Sequence, residues 1–170
     1  MTITPTIVLN GAFRARLLGD RTLLFDRRLG LYPLPVVSML TELVATRSDG
    51  SLDAALEAVR GEPESHCSGQ RKIIVGTDSP INPYGLALHV EIESYVHAGL
   101  TPFQALQTAT VNAAQALGLG VELGTVEVGK IADLTFLGGD PLIDIKNTRD
   151  VKRVMKGGRV YTVEDLIRKR

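Results

Sequence analysis

The sequence predicts an α/β fold in two unlike layers. The last β-α units of a barrel occupy residues 1–120, part of a small antiparallel sheet occupies 121–162, and a short terminal helix and tail occupy 163–170. Three observations carry this reading. Ile73 to Val75 is a short β-branched apolar run that ends abruptly in Gly-Thr-Asp-Ser-Pro, the pattern of a fully buried strand. Residues 86–118 carry helix starts and stops at helical spacing. After Val121 the apolar spacing changes from helical to two-residue alternation.

Each element follows from local chemistry. Ile3 to Leu9 reads as an opening strand, with Pro5 near its start, where the missing N–H costs least. Asn10 to Leu34 has no sustained period and reads as a long functional or mouth-covering loop. Pro35 to Thr46 places Val36, Val37, Leu40, Leu43 and Val44 on one helical face. Leu52 to Arg60 reads as a short helix and Gly61 to Gln70 as a polar connector. Leu86 to Ala98 is an amphipathic helix stopped by Gly99. Thr101-Pro-Phe-Gln104 is a strong helix start, with a hydroxyl cap, Pro at the first helical position and Gln three after the cap. Thr110 is expected to cap the next helix, ending at Gly118. Thr125 to Val128, Ile131 to Leu137, Val151 to Val154 and Arg159 to Tyr161 read as strands. Thr162 to Asp165 then starts the terminal helix.

Composition narrows the class. A chain of 170 residues with 44% hydrophobic residues can build one globular core. Formal net charge is zero, so neither nucleic acid nor an anionic membrane surface is an expected partner. The start Met-Thr-Ile-Thr-Pro lacks the pattern of a signal peptide. Ala98 to Val121 carries no charge, but its Thr, Gln and Asn residues and Pro102 mark a buried helical pair rather than a membrane span. Cys67 is the single cysteine, so the expectation is a soluble protein of a reducing, cytoplasmic compartment.

Several stretches then recur in a telling order: Leu88 to Glu93, Ala98 to Thr110, Asn112 to Leu119, Leu123 to Leu134, Gly139 to Leu142 and Val154 to Tyr161. With Gly76-Thr-Asp78 ahead of them, they resemble the C-terminal part of the metal-dependent amidohydrolases, the imidazolonepropionase-like branch in particular. Thr4 to Val8 resembles that branch's seventh barrel strand. The resemblance implies a (β/α)8 TIM-type barrel followed by the closing half of a β-sandwich, in one composite domain. Such a barrel has eight strands and about 250 residues. Two barrel-type strands are expected here, so the chain reads as the C-terminal portion of a longer enzyme.

The resemblance also implies chemistry. Members hold one or two divalent metals, zinc the expected ion, with a His-x-His on the first strand, later histidines and often a carboxylated lysine. A strand-eight aspartate completes the site and shuttles protons. Asp78 matches that aspartate, as metal ligand and catalytic residue. Thr77, Ser79 and Asn82 flank it as candidate substrate-binding residues, with turn chemistry before Pro80 and Pro83 as the alternative. Asp78 itself could instead cap the following helix or close a turn.

The rest of the ligand set has no counterpart. The three histidines are His66, His89 and His97, and none forms a His-x-His. His89 and His97 stand eight residues apart on the expected helix, about 12 Å at the helical rise, too far to share an ion. His89 is expected to be packed or hydrogen-bonded, His97 to lie at the surface, and His66 with Cys67 to sit in a polar loop. The longer parent is expected to take a small-molecule substrate and hydrolyse a carbon–nitrogen bond in a cyclic amide, an imidazolone-like ring or a dipeptide. The chain by itself is expected to hold no metal, and to self-associate or be complemented by the N-terminal part. The alternative is a remnant or interaction module without catalysis.

Overall fold

In a computed structural model the chain is described at residues 2–4, 29, 32–35, 37–38, 72–78 and 85–168. The expected helix over 52–60, the connector over 61–70 and most of the segments 3–9, 10–34 and 35–46 lie outside the described residues. Helical backbone is present at Leu34, Pro35, Val37 and Ser38.

Two distant extended segments meet side by side. Strand β1 (Thr2–Ile3) pairs in parallel with β2 (Lys72–Ile73), Thr2 opposite Lys72 and Ile3 opposite Ile73. Parallel neighbours need a long crossover, as expected for β-α units. The ladder ends at Ile73, and Ile74 and Val75 are half-buried rather than fully buried, which corrects the sequence expectation. Their backbone groups turn to the helices instead. The Val75 N–H donates to the Thr108 carbonyl (3.1 Å), the Asn112 amide donates to the Ile73 carbonyl (3.1 Å), and the Tyr95 hydroxyl donates to the Ile74 carbonyl (3.2 Å).

Helix α1 (Leu86–His97) is the centre of the core. It was expected to be amphipathic, yet Leu86, Ala87 and every residue from Val90 to Tyr95 are buried. A helix covered on all sides has to neutralise the polar groups it carries inward, and Glu91, Glu93 and Ser94 are among them. The helix ends as a Schellman motif. Leu100 N–H donates to the Tyr95 carbonyl and Gly99 N–H to the Val96 carbonyl, with Gly99 at φ +111°.

Helix α2 (Pro102–Ala109) starts with the capping box foreseen in the sequence. Thr101 Oγ1 accepts from the Gln104 N–H (3.2 Å), and the Gln104 side chain accepts from the Thr101 N–H (2.9 Å). Helix α3 (Val111–Ala116) follows directly. Thr110 does not cap it: its hydroxyl donates back to the Leu106 carbonyl (2.8 Å), a bond to the preceding helix that competes with capping the next. No helix of the described residues is long and apolar enough to cross a membrane.

The link to the second layer is held by Lys130. Its ammonium, largely covered, donates to the Gly120 carbonyl (2.8 Å) and to the Thr125 hydroxyl (2.5 Å). Gly124 lies against α3, where a Cβ would sit 2.8 Å from that of Ala114. Residues 125–128 are not a strand: Val126 and Val128 are 83% and 107% exposed with no ladder partner. Alternation alone misled there, because a strand requires a neighbour to pair with.

Strands β3 (Leu134–Leu137), β4 (Val151–Lys156) and β5 (Arg159–Thr162) form an antiparallel sheet in the order β3-β4-β5. Residues 138–142 make a turn, with Asp140 accepting from the Leu142 N–H (2.8 Å). A 3-10 helix, η1 (Ile145–Arg149), leads into β4. The terminal helix α4 (Val163–Ile167) opens with a Thr162–Asp165 capping box.

The two layers meet at η1. Ile145 joins the hydrophobic core with Ile92, Tyr95, Leu100 and Ala105. Arg149 forms a two-pronged pair with Glu93, Nε to Oε1 at 2.5 Å and the second nitrogen to Oε2 at 2.6 Å. His89 Nδ1 meets Thr148 Oγ1 at 3.2 Å, so His89 is hydrogen-bonded as expected.

Two outcomes follow. Replacing one partner of a buried ion pair strands the other, at about 3–5 kcal/mol. Glu93→Ala should therefore lower unfolding free energy by roughly 3 kcal/mol in urea denaturation, the low end because Arg149 keeps some solvent access. A loss below about 1 kcal/mol would show that the pair does not hold the layers together. The second outcome concerns acid. Asp133 is held below the usual carboxylate range, first by the Lys156 ammonium bonded to it and then by the Gly157 N–H (2.7 Å). A depressed carboxylate stabilises the fold above its unfolded pKa of about 4, and this is lost as pH falls through the lower folded value. Asp133→Asn should depress the melting temperature at pH 7 and converge with the parent chain near pH 2. A gap that persists in acid would mean shape, not charge, is what Asn fails to supply.

Candidate active site

Asp78 stands five residues past the carboxyl end of β2, exposed to solvent, at the end of an irregular segment whose first residues the helices fix from behind. It takes part in no hydrogen bond or ion pair with the described residues. Its backbone sits at φ +51°, and it is the one non-glycine residue with positive φ among those described. An L-residue pays about 1–2 kcal/mol for this region, with Asp and Asn among the few that tolerate it. Strained backbone of this kind concentrates at functional sites. The helix-capping alternative does not hold for α1, whose N-cap is Gly85.

Thr77 is half-buried beside Asp78. Ser79 and Asn82 lie outside the described residues, as do His66 and Cys67. Of the candidate substrate-binding residues, the structure therefore places only Thr77 with Asp78.

The support behind the strand was not singled out in the sequence. Tyr95 is almost wholly buried, and its hydroxyl anchors the Ile74 carbonyl four residues ahead of Asp78. Its phenol is pushed far above the ordinary value, first by burial, then by the charge of Glu91 and a hydrogen bond to that carboxylate. It thus keeps its proton through the neutral range and can donate to the Ile74 carbonyl. The available signal was the pair of carboxylates inside an apolar helix, Glu91 and Glu93, which could not both be solvated on one face.

The remaining histidines are occupied elsewhere. His89 binds Thr148, and His97 is exposed with Nδ1 3.2 Å from the Glu93 carbonyl. Among the described residues no three of His, Cys, Asp and Glu gather as a metal centre would require. What Asp78 can do by itself is accept a proton from water and return it to a leaving group.

The backbone claim is testable. Asp78→Ala should be less stable than Asp78→Gly by about 1 kcal/mol in denaturant titration, because Ala keeps the Cβ clash that Gly lacks. The reverse order would place Asp78 in an ordinary conformation.

The chain is 40% identical over 78 residues to the imidazolonepropionase of Symbiobacterium thermophilum, a match covering 44% of this chain and 18% of that protein. It is 31% identical over 118 residues to the adenine deaminase of Desulforamulus reducens, covering 66% of this chain and 20% of that one. Among solved structures, a Xaa-Pro dipeptidase with bound methionine in the active site superposes with a TM-score of 0.65 at 26% identity, over 95% of this chain and 34% of that chain. The chain thus spans about a fifth of these curated relatives and a third of the solved chain. The profile of the Amidohydrolase family matches residues 47–161, more than half of the sequence, and the chain belongs to that family.

Proposed function

We propose that the chain is the C-terminal portion of an amidohydrolase that hydrolyses a carbon–nitrogen bond, with Asp78 as its proton shuttle. The observation that carries this reading is Asp78 itself: a strained, exposed carboxylate five residues beyond the end of a parallel-paired strand, inside the family-matched segment. Ends of parallel strands are where α/β enzymes present catalytic groups. In this reading residues up to about 120 complete a (β/α)8 barrel and the antiparallel sheet completes a β-sandwich.

Asp78 would take a proton from the attacking water as the water oxygen bonds to the substrate carbon. It would then deliver that proton to the nitrogen as the carbon–nitrogen bond breaks. Its exposure leaves it open to substrate, and the Tyr95 and Thr108 bonds to its strand keep it in place. Thr77, Ser79 and Asn82 would bind substrate around it. The similar proteins are named for an imidazolone, for adenine and for an Xaa-Pro dipeptide, which supports carbon–nitrogen cleavage without fixing the substrate.

The family implies a divalent metal, with zinc the expected ion. The described residues do not make up such a centre, since zinc takes about four ligands and Asp78 supplies one carboxylate. The reading therefore assigns the other ligands to the longer protein. The same scarcity of ligands favours the second reading, a binding module that keeps the fold without catalysis.

The test is Asp78→Asn in a full-length amidohydrolase carrying this segment. Asn retains the shape and tolerates left-handed backbone, but cannot take a proton. Turnover should fall by roughly 10²–10⁴-fold while the melting temperature stays constant. Unchanged turnover would remove Asp78 from the chemistry and leave the module reading.

A further inference from the structure

Asp78 holds a backbone conformation that no contact of its own secures. At φ +51° it lies in the left-handed region, which an L-residue keeps only where the surrounding structure over-determines it. Asp78 makes no hydrogen bond or ion pair with the described residues, so among them the constraint lies on the residues ahead of it. Gly76 and Thr77 are all that separate it from Val75, and the ladder with β1 has already ended at Ile73.

Successive residues of that segment are tied to different helices. Asn112 Nδ2 on α3 donates to the Ile73 carbonyl at 3.1 Å, and the Tyr95 hydroxyl on α1 donates to the Ile74 carbonyl at 3.2 Å. The Val75 N–H then donates to the Thr108 carbonyl on α2 at 3.1 Å. Bonds on neighbouring peptide groups from different helices fix the direction of a segment and also its rotation about its own axis. A single bond leaves that rotation free. Tyr95 is itself locked, being buried and hydrogen-bonded to the buried Glu91. Asn112 is half-buried, two residues before the buried Ala114. Gln115 on the same helix reaches the Lys72 side chain instead, within the paired ladder.

The geometry points to Asn112 and Tyr95 as positioning residues: by holding the Ile73 and Ile74 carbonyls they keep Asp78 in its left-handed backbone, with its carboxylate presented to solvent. For its effect on turnover the inference rests on the reading of Asp78 as the proton shuttle. Neither side chain enters the chemistry. The Val75–Thr108 bond joins two backbone groups and survives any side-chain change at Thr108, so Asn112 and Tyr95 are the points where the sequence controls this brace. A misplacement of about 1 Å can cost roughly 100-fold in rate, so a loosened brace is felt at the reacting group.

The first measurement uses the chain itself and needs no substrate. Urea midpoints of Asp78→Gly and Asp78→Ala are compared in the parent chain and in the Asn112→Ala and Tyr95→Phe backgrounds. In the parent chain Gly should unfold at the higher urea concentration. In either brace variant the gap should close, because the released backbone relaxes to a conformation that Ala also adopts. Gln115→Ala should leave the gap open. A gap that persists in both brace variants, or that closes equally with Gln115→Ala, would overturn the inference. If Tyr95→Phe does not fold, the half-buried Asn112 position decides. The second measurement is turnover in a full-length amidohydrolase carrying this segment. Asn112→Ala should lower kcat and kcat/KM together by roughly 10–100-fold, and should cost nothing more once Asp78→Asn is present. An equal further loss in the double variant would show that Asn112 acts elsewhere, and the inference would fall. The two readings fail separately. A closed gap with turnover unchanged by Asp78→Asn keeps the brace and removes the proton shuttle. An open gap with turnover lost in Asp78→Asn keeps the shuttle and removes the brace.

Discussion

The Glu93–Arg149 pair is the constraint on which the arrangement of the two layers depends. Helix α1 buries residues all round, so its carboxylates have no solvated side to turn to. Glu93 solves this by drawing in a guanidinium from the 3-10 helix ahead of β4, and the planar fork fixes orientation as well as distance. With Arg149 placed, Thr148 meets His89 and Ile145 enters the core beside Ile92. The sheet is thereby anchored to the helices through one short segment, in addition to the link held by Lys130. Burial of this kind gives little net stability but a large penalty for alternatives, because any other docking would leave a buried charge alone.

Local chemistry was legible where a motif satisfies itself. The capping boxes at Thr101–Gln104 and Thr162–Asp165 use only residues within one turn, and both form as read. The turn at Asp140 is of the same kind. Expectations failed where the outcome depends on a distant partner. Val126 and Val128 alternate correctly for a strand but find no neighbour. Thr110 has two carbonyl and amide choices within reach and takes the earlier helix. The burial of α1 on all faces was hidden because Glu91 and Glu93 look like a solvated side until Tyr95 and Arg149 are brought to them.

The candidate site divides the same way. Asp78 drew notice because it follows a β-branched run that stops at Gly76, with a helix cap or a turn as its structural alternatives. Its left-handed backbone was not visible, since φ leaves no mark on composition. Nor was the brace behind it, in which three side-chain and backbone bonds from α1, α2 and α3 reach Ile73, Ile74 and Val75. That brace explains how a two-residue ladder can hold a strand end steady. The strand is tied to helices where a longer sheet would have tied it to neighbours.

Paired and unpaired charges then sort by location. Inside the described layers, carboxylates and cations find each other: Glu93 with Arg149, Asp133 with Lys156, Asp150 with Lys152. Asp78, beyond the strand end, is exposed and takes part in no hydrogen bond or ion pair with the described residues. An exposed charge gains little from a surface partner and needs none for stability. In the proposed reading that leaves the Asp78 carboxylate open to a substrate, which is what a proton shuttle requires, while the bonds behind Ile73, Ile74 and Val75 hold its backbone in place.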